Sequence, residues 1–363
     1  MTTRRNFLTA AVAAPGILGA QNRSGSKLPV IGKGEHQFEV IHDWGQLPDH
    51  IKWGNTHAVV EDSNGHMYIH HTVHATSQSP DSVVVFDDKG KFVRSFGAMF
   101  RGGAHGMHYN KEGRNEYLYF CDEKHGIVTK RTLKGEEVWT LGYPQDSKPY
   151  ETRRNYRPTN IAIAPNGDFW VGDGYGSHFM LHYSQQGSYP KLVKTFGGRP
   201  DPPPGQAPAP PPQPGVTPPP APIDQMNSPH GNWIDTRDPK NPILMVADRG
   251  HRRIVRYTLD DKPIDVIEGT LLPCHFHTHK NLMVVPDLRC RVTLFGPDNN
   301  VIAHLGDGEY AAKMLKIRLA ENRAEFEPGK FITPHGAGFD HDGNIFVTEW
   351  VEIGRVTKLR KVA

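Results

Sequence analysis

Three histidines in this sequence are each followed by glycine and lie about a hundred residues apart. Two belong to a repeated Pro-His-Gly tripeptide and the third to "AHGMHY"; they are His230, His335 and His105. Imidazole nitrogens bind zinc, and three converging histidines leave the fourth tetrahedral position open, which is the arrangement of a catalytic site. The alternative is that each histidine only hydrogen-bonds across a crowded strand. Whether these histidines bind a metal or only form hydrogen bonds depends on the secondary-structure elements that carry them.

Those elements form an internal repeat. Six segments run apolar, turn and reach an acidic residue, and four of them turn at a Gly-containing sequence such as Asn-Gly or Asp-Gly; the six begin at His57, His105, Pro158, Pro229, Pro273 and Pro334. The first five continue into another pair of apolar runs that end alike, in "FVRSFG", "EEVWTLG", "LVKTFG", "IDVIEG" and "VIAHLG". Each unit therefore predicts four short strands, and repeated four-stranded sheets are typical of a propeller.

The sixth unit lacks its last strand, because the chain ends shortly after "GRVTKLRKV". The missing strand is present at the other end, in "FEVIHDWG" at 38–45. We therefore expect an all-β, six-bladed β-propeller over 38–363, closed by an N-terminal strand that completes the last blade and leaves no free edge there. A Pro-rich loop at 199–222 interrupts the repeat, and we expect it to be extended and without a core.

The repeat places the histidines in a common slot at the start of the inner strand. Across the six blades this slot holds His57, His105, Thr159, His230, either Cys274 or His275, and His335. Blades two, four and six thus carry His105, His230 and His335 at threefold spacing around one axis. We expect these three to bind a metal, most simply zinc, and we count His57, His71 and His275 as further channel residues.

Two other patterns have simpler interpretations. "HFHTH" puts His275, His277 and His279 on one face of a strand, a weaker alternative metal site. Acidic residues recur where the second strand of most blades ends, and we expect them to cap turns; they are Asp122, Asp173, Asp248, Asp287 and Glu349.

The start of the chain resembles a twin-arginine export signal. "TRRNFLTAAVAAPGILGA" has paired arginines followed by a short apolar run that ends in small residues. We expect a signal peptide at 1–20, a linker at 21–37, and a periplasmic or secreted protein with no membrane attachment after cleavage. A net charge of +3 over 363 residues gives no reason to expect nucleic-acid binding, and three cysteines cannot form a disulfide framework.

Together these features resemble the six-bladed NHL-repeat propellers, and among them the peptidyl-α-hydroxyglycine α-amidating lyase. The resemblance covers roughly 50–360 and is strongest in "PTNIAIAPNGDFWVGDGYGSHFMLHYSQQG". It implies a zinc ion held by His105, His230 and His335, with Tyr175 of a "DGY" turn as base and Arg249 of an "ADR" turn as carboxylate ligand. The implied reaction is C–N cleavage that releases glyoxylate and leaves a peptide amide.

The sequence departs from that family at two positions. A second substrate-binding arginine falls near His71, and an acidic residue tied to a structural calcium ion falls on Gly336. We therefore expect a zinc-dependent, lyase-like enzyme acting on a small molecule or peptide, as a monomer. The alternatives are a non-catalytic propeller that binds protein or glycan through its rim, and a lactonase-like hydrolase, whose acidic metal cage the histidines do not match.

Overall fold

The computed structural model describes residues 28–151, 155–198, 220–306, 308 and 314–362. The predicted signal peptide at 1–20 lies outside the described residues, as do the beginning of the predicted linker and nearly all of the Pro-rich loop. The described part of the chain forms six antiparallel sheets, one for each predicted blade.

Each of the first three blades is a four-stranded sheet in which consecutive strands pair. The first consists of β3 (Thr56–Glu61), β4 (Met67–His71), β5 (Val83–Phe86) and β6 (Phe92–Phe96). The second consists of β7 (Ala104–Glu112), β8 (Asn115–Asp122), β9 (Ile127–Thr132) and β10 (Glu137–Leu141). The third consists of β11 (Asn160–Ile163), β12 (Phe169–Gly172), β13 (Met180–Ser184) and β14 (Lys191–Phe196).

The next two blades repeat this order, and the sixth differs. The fourth consists of β15 (Pro229–Asp235), β16 (Ile243–Asp248), β17 (Arg253–Tyr257) and β18 (Pro263–Ile267). The fifth consists of β19 (His277–His279), β20 (Leu282–Asp287), β21 (Arg291–Phe295) and β22 (Val301–Leu305). The sixth joins β23 (Pro334–Phe339), β24 (Ile345–Glu349) and β25 (Arg355–Lys361) to the N-terminal strands β2 (His36–Ile41) and β1 (Val30–Lys33).

The ring closes as the incomplete sixth repeat predicts. Strand β2 pairs antiparallel with β25, and Val40 lies opposite Leu359 in that register. The structure adds a fifth strand to this blade, because β1 pairs with β2 on its outer edge. This strand falls in the range that the sequence analysis assigns to a linker. The first and last strands of the ring are thus held in one sheet by hydrogen bonds.

Apolar side chains fill the space between neighbouring blades. Between blades three and four, for example, Trp170 and Met180 pack with Leu244 and Val255, all of them fully buried. Comparable clusters lie at the other five blade interfaces, including the one between blades six and one, where Trp44 contacts Phe346. Burial of this apolar area drives the ring together and fixes the inner strands around the channel.

All five recurring acids cap turns, as predicted: four cap the segment that leads into an inner strand, and Asp122 accepts the backbone N–H groups of Lys124 and His125 in the turn that follows it. Each of these four carboxylates is fully buried and accepts a backbone N–H from a residue two or three positions before the slot. The pairs are Asp173 with Arg157 N (2.7 Å), Asp248 with Asn227 N (2.7 Å), Asp287 with Leu271 N (2.6 Å) and Glu349 with Ile332 N (2.7 Å). In four blades, then, the end of the second strand positions the start of the first.

Helical structure is sparse among the described residues. The one α-helix that the described residues form, α1 (Met314–Arg318), lies in the connection to blade six, where the sequence suggests a helix. No described helix has the length and apolar character needed to cross a membrane.

His42, directly after the closing strand, forms a pH-sensitive contact. Its Nδ1 lies 2.8 Å from the Thr357 hydroxyl, and its Nε2 accepts a hydrogen bond from Gly329 N at 3.0 Å. Burial and the nearby Arg355 and Arg323 lower the pKa of His42 to about 2. In the unfolded chain this histidine would bind a proton below about pH 6.5. The free energy of unfolding is therefore unaffected by protonation of this histidine above that pH and decreases as the pH falls below it, because the unfolded chain takes up a proton that the folded chain does not.

We expect His42→Gln to flatten the dependence of the unfolding free energy on pH between 6.5 and 4. The wild-type slope should exceed the variant's by up to about 1 kcal/mol per pH unit, because one fewer proton is taken up on unfolding. Urea denaturation at several pH values measures this difference. Thr357→Val is the matched control, since it removes the same hydrogen bond but no titrating group. An unchanged slope in His42→Gln would contradict the prediction.

Candidate metal centre

His105, His230 and His335 lie together at one end of the channel, all buried. Their ring centroids are separated by 4.7 Å (His105 to His230), 4.8 Å (His105 to His335) and 4.8 Å (His230 to His335). The three rings thus form a nearly equilateral triangle, as their spacing on alternate blades suggests. Each ring is oriented by a bond to the blade that follows its own.

Each of the three histidines donates its Nδ1–H to the backbone carbonyl of the next blade's slot residue. The distances are 2.6 Å from His105 to Thr159 O, 2.8 Å from His230 to Cys274 O and 3.1 Å from His335 to His57 O. A carbonyl oxygen can only accept, so Nδ1 carries the proton and Nε2 keeps its lone pair. Metal-binding histidines are oriented in this way in known sites. The pattern also shows that Cys274, and not His275, occupies the slot of blade five.

The glycine after each histidine makes this bond sterically accessible. A Cβ atom at Gly106, Gly231 or Gly336 would lie less than 3.0 Å from that same carbonyl oxygen. Only a residue without a side chain lets the inner strands of neighbouring blades approach so closely. The His-Gly pair therefore has one explanation for both residues: glycine allows the approach, and histidine uses the carbonyl it exposes.

Burial keeps the imidazoles neutral. It lowers the pKa of His105 to about 3, and it lowers the pKa of His230 and of His335 well below the usual value, with neighbouring histidines and Arg249 adding to the effect. Neutral imidazole is the form that binds metal ions. The donor chemistry of the triangle therefore fits a metal ion.

Two further side chains enlarge the donor set. One group of three whose ligand atoms lie within 4.8 Å of one another is His57, His105 and His335; a second is His230, Cys274 and His335. The predicted triad is thus divided between two groups that share His335. His57 Nδ1 lies 3.4 Å from His335 Nε2, and Cys274 is fully buried. Burial raises the pKa of the Cys274 thiol to about 11, although Arg249 opposes this.

Tyr175 and Arg249 meet at the edge of this cluster. The Tyr175 hydroxyl lies 2.9 Å from His230 Nε2 and 3.3 Å from His105 Nε2, so it can donate its proton to the free lone pair of His230. Arg249 donates to the same hydroxyl at 3.2 Å and to Ser228 Oγ at 3.2 Å. Within the described residues Arg249 has no carboxylate partner, so its charge is available to an anion.

The pKa of Tyr175 moves in the opposite direction to the one expected from its neighbours. A neighbouring guanidinium favours the phenolate, but burial raises the pKa of Tyr175, and Arg249 reduces this rise without reversing it. The cost of placing a phenolate away from water exceeds the attraction of one nearby cation. In the described structure Tyr175 is therefore a neutral phenol.

A cavity of about 570 Å³ opens above these groups. Its lining includes His57, His105, Tyr175, Arg249 and Trp350. Arg157 also faces it, but its guanidinium is paired with Glu123 and packs over the Tyr175 ring at 5.5 Å. The cavity thus combines aromatic walls with one unpaired cation beside the histidine cluster.

The remaining predicted channel residues lie elsewhere. His71 is fully buried in blade one, where its Nδ1 accepts from Gly54 N at 3.2 Å and Val73 N at 3.1 Å. It packs edge-on against Trp53, so its contacts are those of a turn and not of the cluster. His275 is also buried outside the cluster, and neither of its ring nitrogens is within good hydrogen-bonding geometry of a partner among the described residues.

His275 borders a second, smaller cavity, of about 240 Å³, together with His277, His279 and Trp233. These "HFHTH" residues face one side, as their alternation predicts. Their ligand atoms belong to neither of the three-donor groups that the described residues form. The alternative metal site at this strand is therefore not preassembled.

The calcium site implied by the resemblance does not fit the chain. Gly336 contacts the backbone of His57 so closely that any side chain there would overlap its carbonyl oxygen. No acidic residue can occupy this position without moving the His335 hydrogen bond.

Two contributors to the site are not predicted as such from the sequence: the Cys274 thiol and the backbone carbonyl acceptors. Cys274 was recognised as a slot residue, but not as a donor. The carbonyl acceptors are backbone atoms and have no residue signature. The signal that could have revealed both is the position of Cys274 itself, which is equivalent to His57 in the repeat.

We expect Gly231→Ala to destabilise both the fold and the cluster. The new methyl group would collide with Cys274 O and force the inner strands of blades four and five apart, at a cost of about 1–3 kcal/mol. Urea denaturation measures the loss. Gly142→Ala serves as the control, because a Cβ there meets no atom within 4 Å. Equal stability of the two variants would show that the close approach is unimportant.

Comparisons with known proteins bear on the fold. No protein-family model matches the chain, and no curated protein matches it. Among solved structures, a gluconolactonase from Xanthomonas campestris is 11% identical with a TM-score of 0.53, covering 92% of this chain and 98% of its own. Virginiamycin B lyase from Staphylococcus aureus is 12% identical with a TM-score of 0.52, covering 90% and 100%. A streptogramin B lyase is also 12% identical, with a TM-score of 0.51 and coverage of 89% and 97%. At such identities the likeness shows that the chain shares the six-bladed propeller fold.

Proposed function

We propose that this protein is an exported, zinc-dependent lyase that works at the end of its channel. The observation that carries the proposal is the set of three Nδ1–carbonyl bonds. They leave the Nε2 lone pairs of His105, His230 and His335 free to bind a shared ligand. Hydrogen bonding across the strands alone would fix the same tautomer, so what favours a metal is that the donor atoms gather in two three-donor groups that share His335.

Zinc bound by these imidazoles would supply a Lewis acid that polarises a substrate hydroxyl or carboxylate oxygen. The chain's own residues would do the rest. Arg249, whose guanidinium has no carboxylate partner among the described residues, would bind the substrate carboxylate as a fork. Tyr175 lies between that guanidinium and two imidazoles, so its hydroxyl oxygen is in position to exchange a proton with the substrate hydroxyl.

The resemblance to the amidating lyase suggests a peptidyl α-hydroxyglycine as substrate. In that reaction the neutral Tyr175 phenol would donate its proton to the departing amide nitrogen and take up the substrate hydroxyl proton, while the C–N bond breaks and the C=O of glyoxylate forms. The walls of the 570 Å³ cavity offer aromatic surface for the peptide side of such a substrate. The likeness to lyase and lactonase structures concerns the fold and does not choose between these activities.

The first expectation is that the purified protein binds about one zinc ion per chain. Replacing His105, His230 and His335 together by alanine should abolish this binding, because each variant side chain removes an imidazole donor. Elemental analysis after dialysis measures the zinc content, and circular dichroism checks that the propeller remains folded.

His304→Ala is the control for nonspecific loss, since this exposed histidine lies on an outer strand. A folded wild-type protein that stays metal-free in zinc-containing buffer would contradict the metal centre. It would favour the non-catalytic alternative, in which the rim binds protein or glycan.

The second expectation concerns the reaction. The zinc-loaded protein should release glyoxylate from an α-hydroxyglycine substrate, and Tyr175→Phe should lower kcat by roughly 10²–10⁴-fold without changing the zinc content. Tyr189→Phe is the matched control, because that hydroxyl lies on an outer strand connection and bonds Thr140 O. If the zinc-loaded wild type releases no glyoxylate while binding zinc normally, the lyase assignment is wrong and the metal centre stands.

A further inference from the structure

Cys274 is placed beside the histidine cluster by the same feature that positions His57. Both occupy the slot of an odd-numbered blade, and the carbonyl of each accepts the Nδ1–H of a cluster histidine. The third odd-numbered slot holds Thr159, whose hydroxyl is turned to the backbone carbonyls of Gly172 and Pro229. Two of these three slots therefore direct a metal-binding atom toward the cluster.

The Cys274 sulfur lies with one nitrogen each of His230 and His335 in a group whose ligand atoms are all within 4.8 Å of one another. The residue is fully buried and forms no disulfide. Its Sγ has a weak contact with Leu272 O at 3.4 Å, which a stronger ligand bond can replace. The neighbouring Arg249 adds a fixed positive charge on this side of the cluster.

Charge balance distinguishes the thiol from the other donors. His57, His105, His230 and His335 are neutral ligands, so a divalent cation bound by them alone would bring two uncompensated charges into a buried site beside Arg249. Burying unpaired charge is strongly unfavourable. Cys274 is the one member of the two donor groups that can become an anion, and metal ions deprotonate a coordinating thiol outright.

We infer that Cys274 is a thiolate ligand of the metal, completing a His₃Cys set with His105, His230 and His335. On binding, the thiol proton leaves to solvent and a metal–sulfur bond forms, with no change of oxidation state. A thiolate in the set selects zinc and similar soft or borderline ions over magnesium or manganese. A substrate oxygen would then bind as an additional ligand, which catalytic zinc sites can accommodate. This inference rests on the metal centre proposed above.

X-ray absorption at the zinc edge of the zinc-loaded full-length protein tests the ligand directly. We expect one sulfur at about 2.3 Å in addition to nitrogens at about 2.0–2.1 Å. Cys274→Ser should lose the sulfur signal and bind zinc at least about tenfold more weakly. Cys121→Ser is the matched control, because Cys121 is equally buried but belongs to the core between blades two and three.

The outcomes separate this inference from the proposed function. A wild-type shell of nitrogen and oxygen only overturns the thiolate ligand, and a fourth imidazole in that shell would assign its place to His57. Because this measurement uses the wild type, it decides the matter even if Cys274→Ser fails to fold. Zinc bound through sulfur with no glyoxylate release supports the inference and overturns only the lyase activity. A wild type that binds no zinc overturns both.

Discussion

The close approach of neighbouring inner strands is the constraint on which the candidate site depends. Gly106, Gly231 and Gly336 let each even-numbered blade reach the slot carbonyl of the next blade. The histidine beside each glycine takes that carbonyl as an acceptor, which fixes both its ring orientation and its tautomer. A larger residue at any of these glycines would separate the strands and release the ring.

This local geometry depends in turn on the closure of the whole propeller. The bond from His335 crosses from the last blade to the first, so it exists only because β2 and β25 share one sheet. The buried acids at the ends of the second strands add a tether, since Glu349 holds Ile332 just before the sixth slot. The site is therefore a property of the closed ring, and no single blade contains it.

The lowered pKa values of the cluster histidines explain why they are suited to bind a metal ion and do not bind a proton at neutral pH. Burial lowers the pKa of every imidazole in it, so the histidines present lone pairs at neutral pH. Arg249 adds positive charge without a compensating carboxylate among the described residues. Such a site stabilises anionic ligands, whether a substrate carboxylate at Arg249 or a thiolate at Cys274.

The sequence alone determined the six-bladed ring and its closure, because strand period, turns and the displaced last strand are local signals repeated along the chain. It also assigned His105, His230 and His335 to alternate blades, since a slot number in a closed repeat is already a position around an axis. The tertiary structure decided the rest. Which side chains face the cluster depends on distances between blades. These distances place Cys274 beside the cluster, whereas His71 accepts hydrogen bonds from the backbone of a turn. The pKa of Tyr175 depends on burial, and burial exists only once the ring has formed.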